Sequence, residues 1–419
     1  MLYQANIISW LYLAVPVAAV VVGVRRARRG PSEDLIRGMC GAAIAGTACA
    51  MALIALYPHG AGHISFIQVT IACYWGIATG LVLFAFNALL TRVLDWLVPR
   101  GADKKPLVAA QIIAMVIRAL VLLVVGIGYV GAMGLTYHPH VVYPGTPASL
   151  LNAEYQDVSF AATDGLLLRG WWIPAPVPAP DEVDAPGPLW GKRTVILCHG
   201  YNVDKAADLR LARDLLPDGY NVLAFDFRGH GQSSGQFTTF GDLERRDVLG
   251  AVRWLQENHP AESQKIFGLG QSTGAAALIA AAGDLSPEGQ SIDAIALFAP
   301  YDSLTSLIQD WADSNKISRA GWIARRLALP LAGAQWGTSL QNFDPAREAE
   351  KIAPRALLVI ASEQDQQIAI SSAQAVFEQA SQPKCAFWLV KSSRQAMLFR
   401  NENASRAVRL FFETARKIL

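Results

Sequence analysis

The 419 residues carry 36 Lys and Arg against 34 Asp and Glu, a formal net charge of +2, which makes no electrostatic case for a nucleic-acid partner. Hydrophobic residues make up 52% and charged residues 17%, a high apolar share for a wholly soluble protein. The excess sits almost entirely before residue 136. The remainder has ordinary charge and turn content and is long enough for a large buried core. The five cysteines (Cys40, Cys49, Cys73, Cys198 and Cys385) lie mostly inside apolar runs and read as small buried residues. Their odd count and irregular spacing suggest neither a disulfide framework nor a metal site, and no cofactor is expected.

Four apolar runs, 7–24, 35–57, 64–90 and 107–133, are each about the 20 residues needed to cross a bilayer. They are apolar all round, so four transmembrane helices are expected, with membrane lipid as their surroundings. Apart from Arg37 at the start of the second run, Arg118 is the one charge within them and is expected to snorkel or to face the bundle interior. The first connection carries Arg25, Arg26, Arg28, Arg29 and Arg37 and the third Arg92, Arg100, Lys104 and Lys105, whereas 58–63 carries no Lys or Arg. By the positive-inside rule the first and third loops are cytoplasmic, which puts both termini and everything after residue 136 on the extracytoplasmic side. The arginines follow the first apolar run instead of preceding it, so that run is expected to be an anchor and not a cleaved signal.

Residues 136–154 read as a linker, with Pro, Gly and aromatics concentrated over 137–151. From Tyr155 to Pro174 apolar and polar residues alternate on both sides of Asp164-Gly165, the pattern of a β-hairpin. The Pro-rich stretch 174–188 is expected to be an exposed loop. Strands starting at Thr194, Asn221, Lys265 and Ile292 then alternate with helical patterns over 204–216, 243–258 and 273–283, which predicts a parallel sheet with helices on both faces. Residues 301–343 are helical in pattern and hold no strand signal. Strands over 355–361 and 386–391 and a helix over 401–418 complete the pattern.

Three motifs stand at the ends of these strands. Residues 194–200, TVILCHG, end in His199-Gly200-Tyr201-Asn202; residues 221–235, NVLAFDFRGHGQSSG, end in a glycine-rich loop; residues 265–277, KIFGLGQSTGAAA, carry Gly270-Gln271-Ser272-Thr273-Gly274 between a strand and a helix. The last is a nucleophile-elbow pattern, in which glycines allow a sharp turn that strains the backbone of Ser272. In this order and at these separations the motifs resemble the α/β-hydrolase superfamily, and within it the branch of serine aminopeptidase-like and membrane-tethered abhydrolase proteins. The resemblance covers nearly all of 155–419. It implies an α/β-hydrolase fold, a mostly parallel sheet with helices on both faces, opened by the hairpin and preceded here by the four-helix transmembrane domain. It also implies a helical lid at 301–343, for which ordinary packing helices are the alternative.

The same resemblance implies a serine hydrolase of ester or amide bonds acting on a small-molecule, lipid or peptide substrate. Ser272 would be the nucleophile, and the backbone N–H groups of Tyr201 and Thr273 the oxyanion donors. Asp365 would be the carboxylate that orients the base, with Glu363 as the alternative. The family's histidine is missing. All seven histidines precede Ser272, and Gln395 stands in the loop where the family carries its base. Ser392 and Ser393 replace glycines of that loop, and Ala361-Ser362 stands where His-Gly is common. His199 and His230 belong to loop positions that the family uses for packing, and His59, His63, His138, His140 and His259 are expected in solvent. In a subtilisin-type triad, loss of the histidine costs roughly a millionfold in turnover, leaving roughly 10³ to 10⁴ over water. The sequence therefore supports two readings, a hydrolase with an unrecognised base and a degenerate hydrolase that keeps its pocket to bind a ligand or partner. A transporter built on the four runs lacks the intramembrane charges that ion pathways need.

Overall fold

A computed structural model describes residues 128, 131–137, 140–176, 189–316, 318–380, 385–391 and 402–418. These fall almost entirely in one compact unit, 132–333 with 338–419; a second unit, 1–131 with 334–337, lies largely outside the described residues. The four apolar runs expected to span a membrane lie there too, apart from the last residues of the fourth. Among the described residues no helix is long and apolar enough to cross a membrane.

One eight-stranded sheet organises the compact unit, in the order β1-β2-β4-β3-β5-β6-β7-β8. β1 (Gln156–Ala161) and β2 (Leu167–Ile173) form the expected hairpin, closed by a turn through Asp164-Gly165, and β2 pairs antiparallel with β4. The remaining strands, β3 (Arg193–Cys198), β4 (Tyr220–Asp226), β5 (Lys265–Gln271), β6 (Ile292–Phe298), β7 (Ala356–Ser362) and β8 (Cys385–Val390), run parallel. Every residue of β3, β4 and β7 is buried, as expected of strands covered on both faces, whereas edge strand β8 is mostly half-buried or exposed. Side chains alternate between the two faces. Ile266 joins the large cluster formed with helices Arg245–Asn258, Thr273–Ala282 and Ile370–Gln379, while its neighbour Phe267 meets Phe412 of helix Glu402–Ile418 at 4.9 Å on the opposite face.

Three local differences from the sequence pattern have physical causes. The helix expected from residue 204 begins at Leu209; residues 205–208 form turns instead, with Ala207 N–H donating to Asp204 O and Lys205 N–H to Asp226. The stretch read as linker contains a short helix, Pro147–Leu151, started by a capping box in which Thr146 and Ser149 bond to each other's backbone N–H. His259, expected in solvent, stacks on Trp172 with ring centroids 4.0 Å apart.

Between β6 and β7 the chain forms helices Leu304–Ser314, Ser318–Ile323 and Leu329–Trp336 and no strand. The two ends of this insertion meet where Leu304 N–H donates to Phe343 O at 3.1 Å. It is tied to the loop before helix Arg245–Asn258 by Tyr301 Oη to Phe240 O and by Thr338 Oγ1 to Asp242.

Candidate active site

Parallel strands end on one side of a sheet, so the residues that follow β3, β4, β5, β6 and β7 gather along one edge, where ligands of open α/β sheets bind. Ser272 follows β5 and has φ 49° and ψ −112°, a conformation that L residues rarely adopt. Helix Thr273–Ala282 starts at the next residue, with every side chain buried. The glycines explain how the turn closes. A β-carbon on Gly270 would lie 2.7 Å from Gly274 O, and one on Gly274 would collide with the Cys198 and His199 carbonyls. The strain is held by bonds on both sides: Ser272 N–H donates to Phe298 O at 2.9 Å, and Ser272 O accepts from Ala276 N–H at 3.0 Å. Thr273 supplies the first N–H of the helix, which has no acceptor within the helix and lies at its positive end. Ser272 is half-buried, and its hydroxyl makes no hydrogen bond among the described residues.

The turn after β3 is set beside this elbow. Cys198 pairs with Gly270 in register, and Gly200 lies 3.5 Å from the Gln271 side chain, measured from where its β-carbon would stand. Tyr201 stacks on Phe240 with centroids 5.4 Å apart, and Asn202 adopts φ 60°. His199 is buried and both its ring nitrogens are engaged: Nδ1 faces Gly200 O at 2.8 Å, and Nε2 accepts from Phe227 N–H at 3.0 Å. Burial lowers its pKa, against the pull of nearby Asp226. This ring is a packing device with no free lone pair for proton transfer. His230 is likewise buried, with Nδ1 3.0 Å from Arg228 O.

Buried charge anchors the loop after β4. The Asp226 carboxylate accepts from Lys205 Nζ at 2.6 Å, Lys205 N–H at 2.8 Å and Gln232 N–H at 2.9 Å. Gly231 has no side chain because that carboxylate fills the space. Arg228 is bidentate to Asp247 and to Asp164, with a closest approach of 2.6 Å. Burial opposes its charge, but the two carboxylates outweigh burial and hold the guanidinium firmly protonated.

Asp365 lies beyond the end of β7 and is half-buried. Its Oδ1 accepts from Gln367 N–H at 2.8 Å and Ile368 N–H at 3.0 Å; its Oδ2 is shielded from solvent and has no hydrogen-bond partner among the described residues. Burial raises its pKa and the two backbone bonds pull it back. Glu363, the alternative, is exposed, and its own N–H pairs with Val390 O at 3.1 Å. A carboxylate with one oxygen fixed and the other open suits Asp365 to orient a base. Gln395, Ser392 and Ser393 lie outside the described residues, as do His59, His63 and His138.

Several residues of this edge gave no sign in the sequence. Asp208 is fully buried with neither carboxylate oxygen bonded among the described residues, and burial, aided by Asp204, raises its pKa to about 7. His140 and Tyr143, in the expected linker, bond to the loops after β4 and β3. Only the contact map of the folded chain reveals them. Among the described residues no group of His, Cys, Asp and Glu has the arrangement of a metal site.

The comparisons with known proteins agree with this geometry. Residues 191–343 match the family model described as serine aminopeptidase, S33. The esterase Pf2001 of Pyrococcus furiosus superposes with a TM-score of 0.53 at 27% identity, over 67% of this chain and 98% of that one. This chain belongs to the α/β-hydrolase superfamily. Among curated relatives, YfhR of Salmonella typhimurium is 31% identical over 153 residues, 36% of this chain and 47% of that protein. YqkD of Bacillus subtilis is 27% identical over 210 residues, 49% of this chain and 66% of that protein. The chain thus spans about half the length of the first of these relatives.

Proposed function

We propose that this α/β-hydrolase-fold chain is a membrane-anchored serine hydrolase of ester or amide bonds, with its hydrolase domain at 155–419 on the extracytoplasmic side. The observation that carries the reading is the φ of 49° at Ser272, between a buried strand and a buried helix. Strain of this kind persists only where the surrounding structure over-determines it, and here it belongs to a half-buried serine whose hydroxyl has no hydrogen bond among the described residues. The likeness to an esterase over nearly all of that protein's length supports the same chemistry.

In this reading Ser272 Oγ attacks the acyl carbon, its proton passes to the departing alcohol or amine, and water then cleaves the acyl ester to return the serine. Thr273 N–H and Tyr201 N–H stabilise the oxyanion, each worth roughly 10² to 10³ in rate for a well-placed donor. Asp365 orients whatever group carries the proton. Substrates are small esters or amides, including lipid or peptide material reached beside the bilayer. The four apolar runs before residue 136 would anchor the chain, with the arginine-rich loops in the cytoplasm.

One observation favours a second reading, a scaffold kept for binding a ligand or partner: no histidine follows Ser272 in the sequence, where the resemblance would put the base at position 395, which is Gln. Labelling of the full chain with a fluorophosphonate, beside Ser272→Ala, separates the two. The hydrolase reading expects labelling that disappears in the variant. No labelling of folded wild type, restored by Gln395→His, would establish the binding scaffold instead.

A further inference from the structure

The segment before the sheet is bound to the loops around the candidate oxyanion donor at several independent points. Thr136 O accepts from Thr238 N–H at 2.8 Å, and Tyr137 forms an antiparallel bridge with Phe237. His140 reaches the same loop, with Nδ1 2.8 Å from Gly231 O and Nε2 2.7 Å from Gly235 O. Each ring nitrogen therefore faces a backbone carbonyl. Tyr143 crosses to the turn after β3: its N–H donates to Asp204 Oδ2 at 2.9 Å and its Oη to Asn202 O at 3.3 Å.

These bonds bracket Tyr201. Asn202, the next residue, is held at φ 60°, a left-handed conformation in which a small rotation re-aims the adjoining peptides. Tyr143 fixes its carbonyl directly and pins Asp204 two residues on. From the other side His140 fixes Gly231, which packs on the Asp226 carboxylate, and that carboxylate holds Lys205 N–H at 2.8 Å. The ring of Tyr201 rests on Phe240, beyond the stretch clasped through Phe237 and Thr238.

We infer that residues 136–137 and 140–143 form a positioning strap for the oxyanion turn, with His140 and Tyr143 as the side chains that fix it. The strap would set where Tyr201 N–H points, and neither side chain would touch substrate. In sequence the strap directly follows the apolar runs. This inference rests on the hydrolase reading for its kinetic consequence alone.

The test uses the full chain with His140→Ala and Tyr143→Phe, read in two ways. Amide hydrogen exchange over 200–204 is expected to quicken in both variants while β5 is unchanged. Turnover of p-nitrophenyl butyrate is expected to fall in kcat by about tenfold with KM held within about twofold, since misplacing a catalytic donor costs transition-state stabilisation and not ground-state binding. Unchanged exchange over 200–204 in both variants would overturn the strap whatever the activity, as would equal quickening across β5, the sign of general loosening. Quickened exchange at 200–204 in a protein whose wild type turns over no ester would leave the strap standing and remove the hydrolase reading.

Discussion

The two ends of the candidate edge are built differently. Around β3, β4 and β5 each unusual feature has a visible support: the strained Ser272 is bonded on both sides, the glycines stand where carbonyls or a carboxylate fill the space, and Arg228 and Lys205 are paired in the interior. At the β7 and β8 end the carboxylate of Asp365 has one oxygen bound and the other without a partner among the described residues. The departures expected from the resemblance in sequence, at Ala361-Ser362, Ser392-Ser393 and Gln395, fall after these same two strands. The contrast teaches that the two ends of one sheet edge can be held by different means: the Ser272 end is fixed by the core, and Asp365 is held by the backbone of its own loop.

The largest effect is expected where that core is most committed. Arg228→Ala would leave Asp247, which is fully buried, without its guanidinium partner. Removing one member of a buried ion pair costs about 3–5 kcal/mol, enough to lower a chemical-denaturation midpoint markedly. A loss below about 1 kcal/mol would break the comparison, because the nucleophile side would then not depend on its buried charge.

Gly274→Ala comes next. Its β-carbon would collide with the backbone of β3, which cannot move without disturbing the centre of the sheet, so a loss of about 3 kcal/mol is expected. Gly200→Ala is the control: its nearest contacts lie at 3.5 Å and beyond, and an effect under about 1 kcal/mol is expected. Thermal unfolding of the two variants side by side measures the difference.

Asp208 sharpens the comparison through pH. Its folded pKa of about 7 lies above the ordinary carboxylate value, so the folded protein holds a proton that the unfolded chain gives up. Its contribution to stability is fully present below the ordinary carboxylate value and is lost as pH rises from about 4 to about 7, at about 1.4 kcal/mol per pH unit. Asp208→Asn removes this titration. The variant is expected to match wild type near pH 4 and to exceed it in melting temperature near pH 8; equal melting temperatures at both pH values would show that the carboxyl is solvated or paired.

Much of the nucleophile side was legible because it is written in local patterns. Period, glycine placement and the order of three motifs led to the strands within a residue or so, and to Ser272 at a strained turn. The resemblance pointed to Asp365 or Glu363 after a strand; of the two, Asp365 is half-buried and Glu363 is exposed. What stayed hidden is what only folding brings together. His140 and Tyr143 read as linker because nothing in their neighbourhood shows partners some 60 to 95 residues away. Asp208 read as part of a helix and Arg228 as part of a loop motif, because sequence does not show which side chains lose water.

The smallest effect on stability is expected at Asp365, and its meaning lies in coupling. Asp365→Asn keeps an oxygen to accept from Gln367 and Ile368, so unfolding should shift by less than about 1 kcal/mol. On activity the substitution should be nearly silent in the wild-type chain, where no histidine follows Ser272 for the carboxylate to orient. With Gln395→His in place, Asp365 gains a base to hold, and Asp365→Asn should then lower fluorophosphonate labelling by at least about tenfold, as loss of the orienting carboxylate does in serine triads. The difference between the two backgrounds is a coupling energy read directly from a double-mutant cycle. A cycle that closes with no coupling, while Gln395→His alone raises labelling, would mean that another group orients the new base. A large loss from Asp365→Asn already in the wild-type background would mean that Asp365 works with a proton carrier other than a histidine at 395, and would remove the asymmetry between the two ends of the edge.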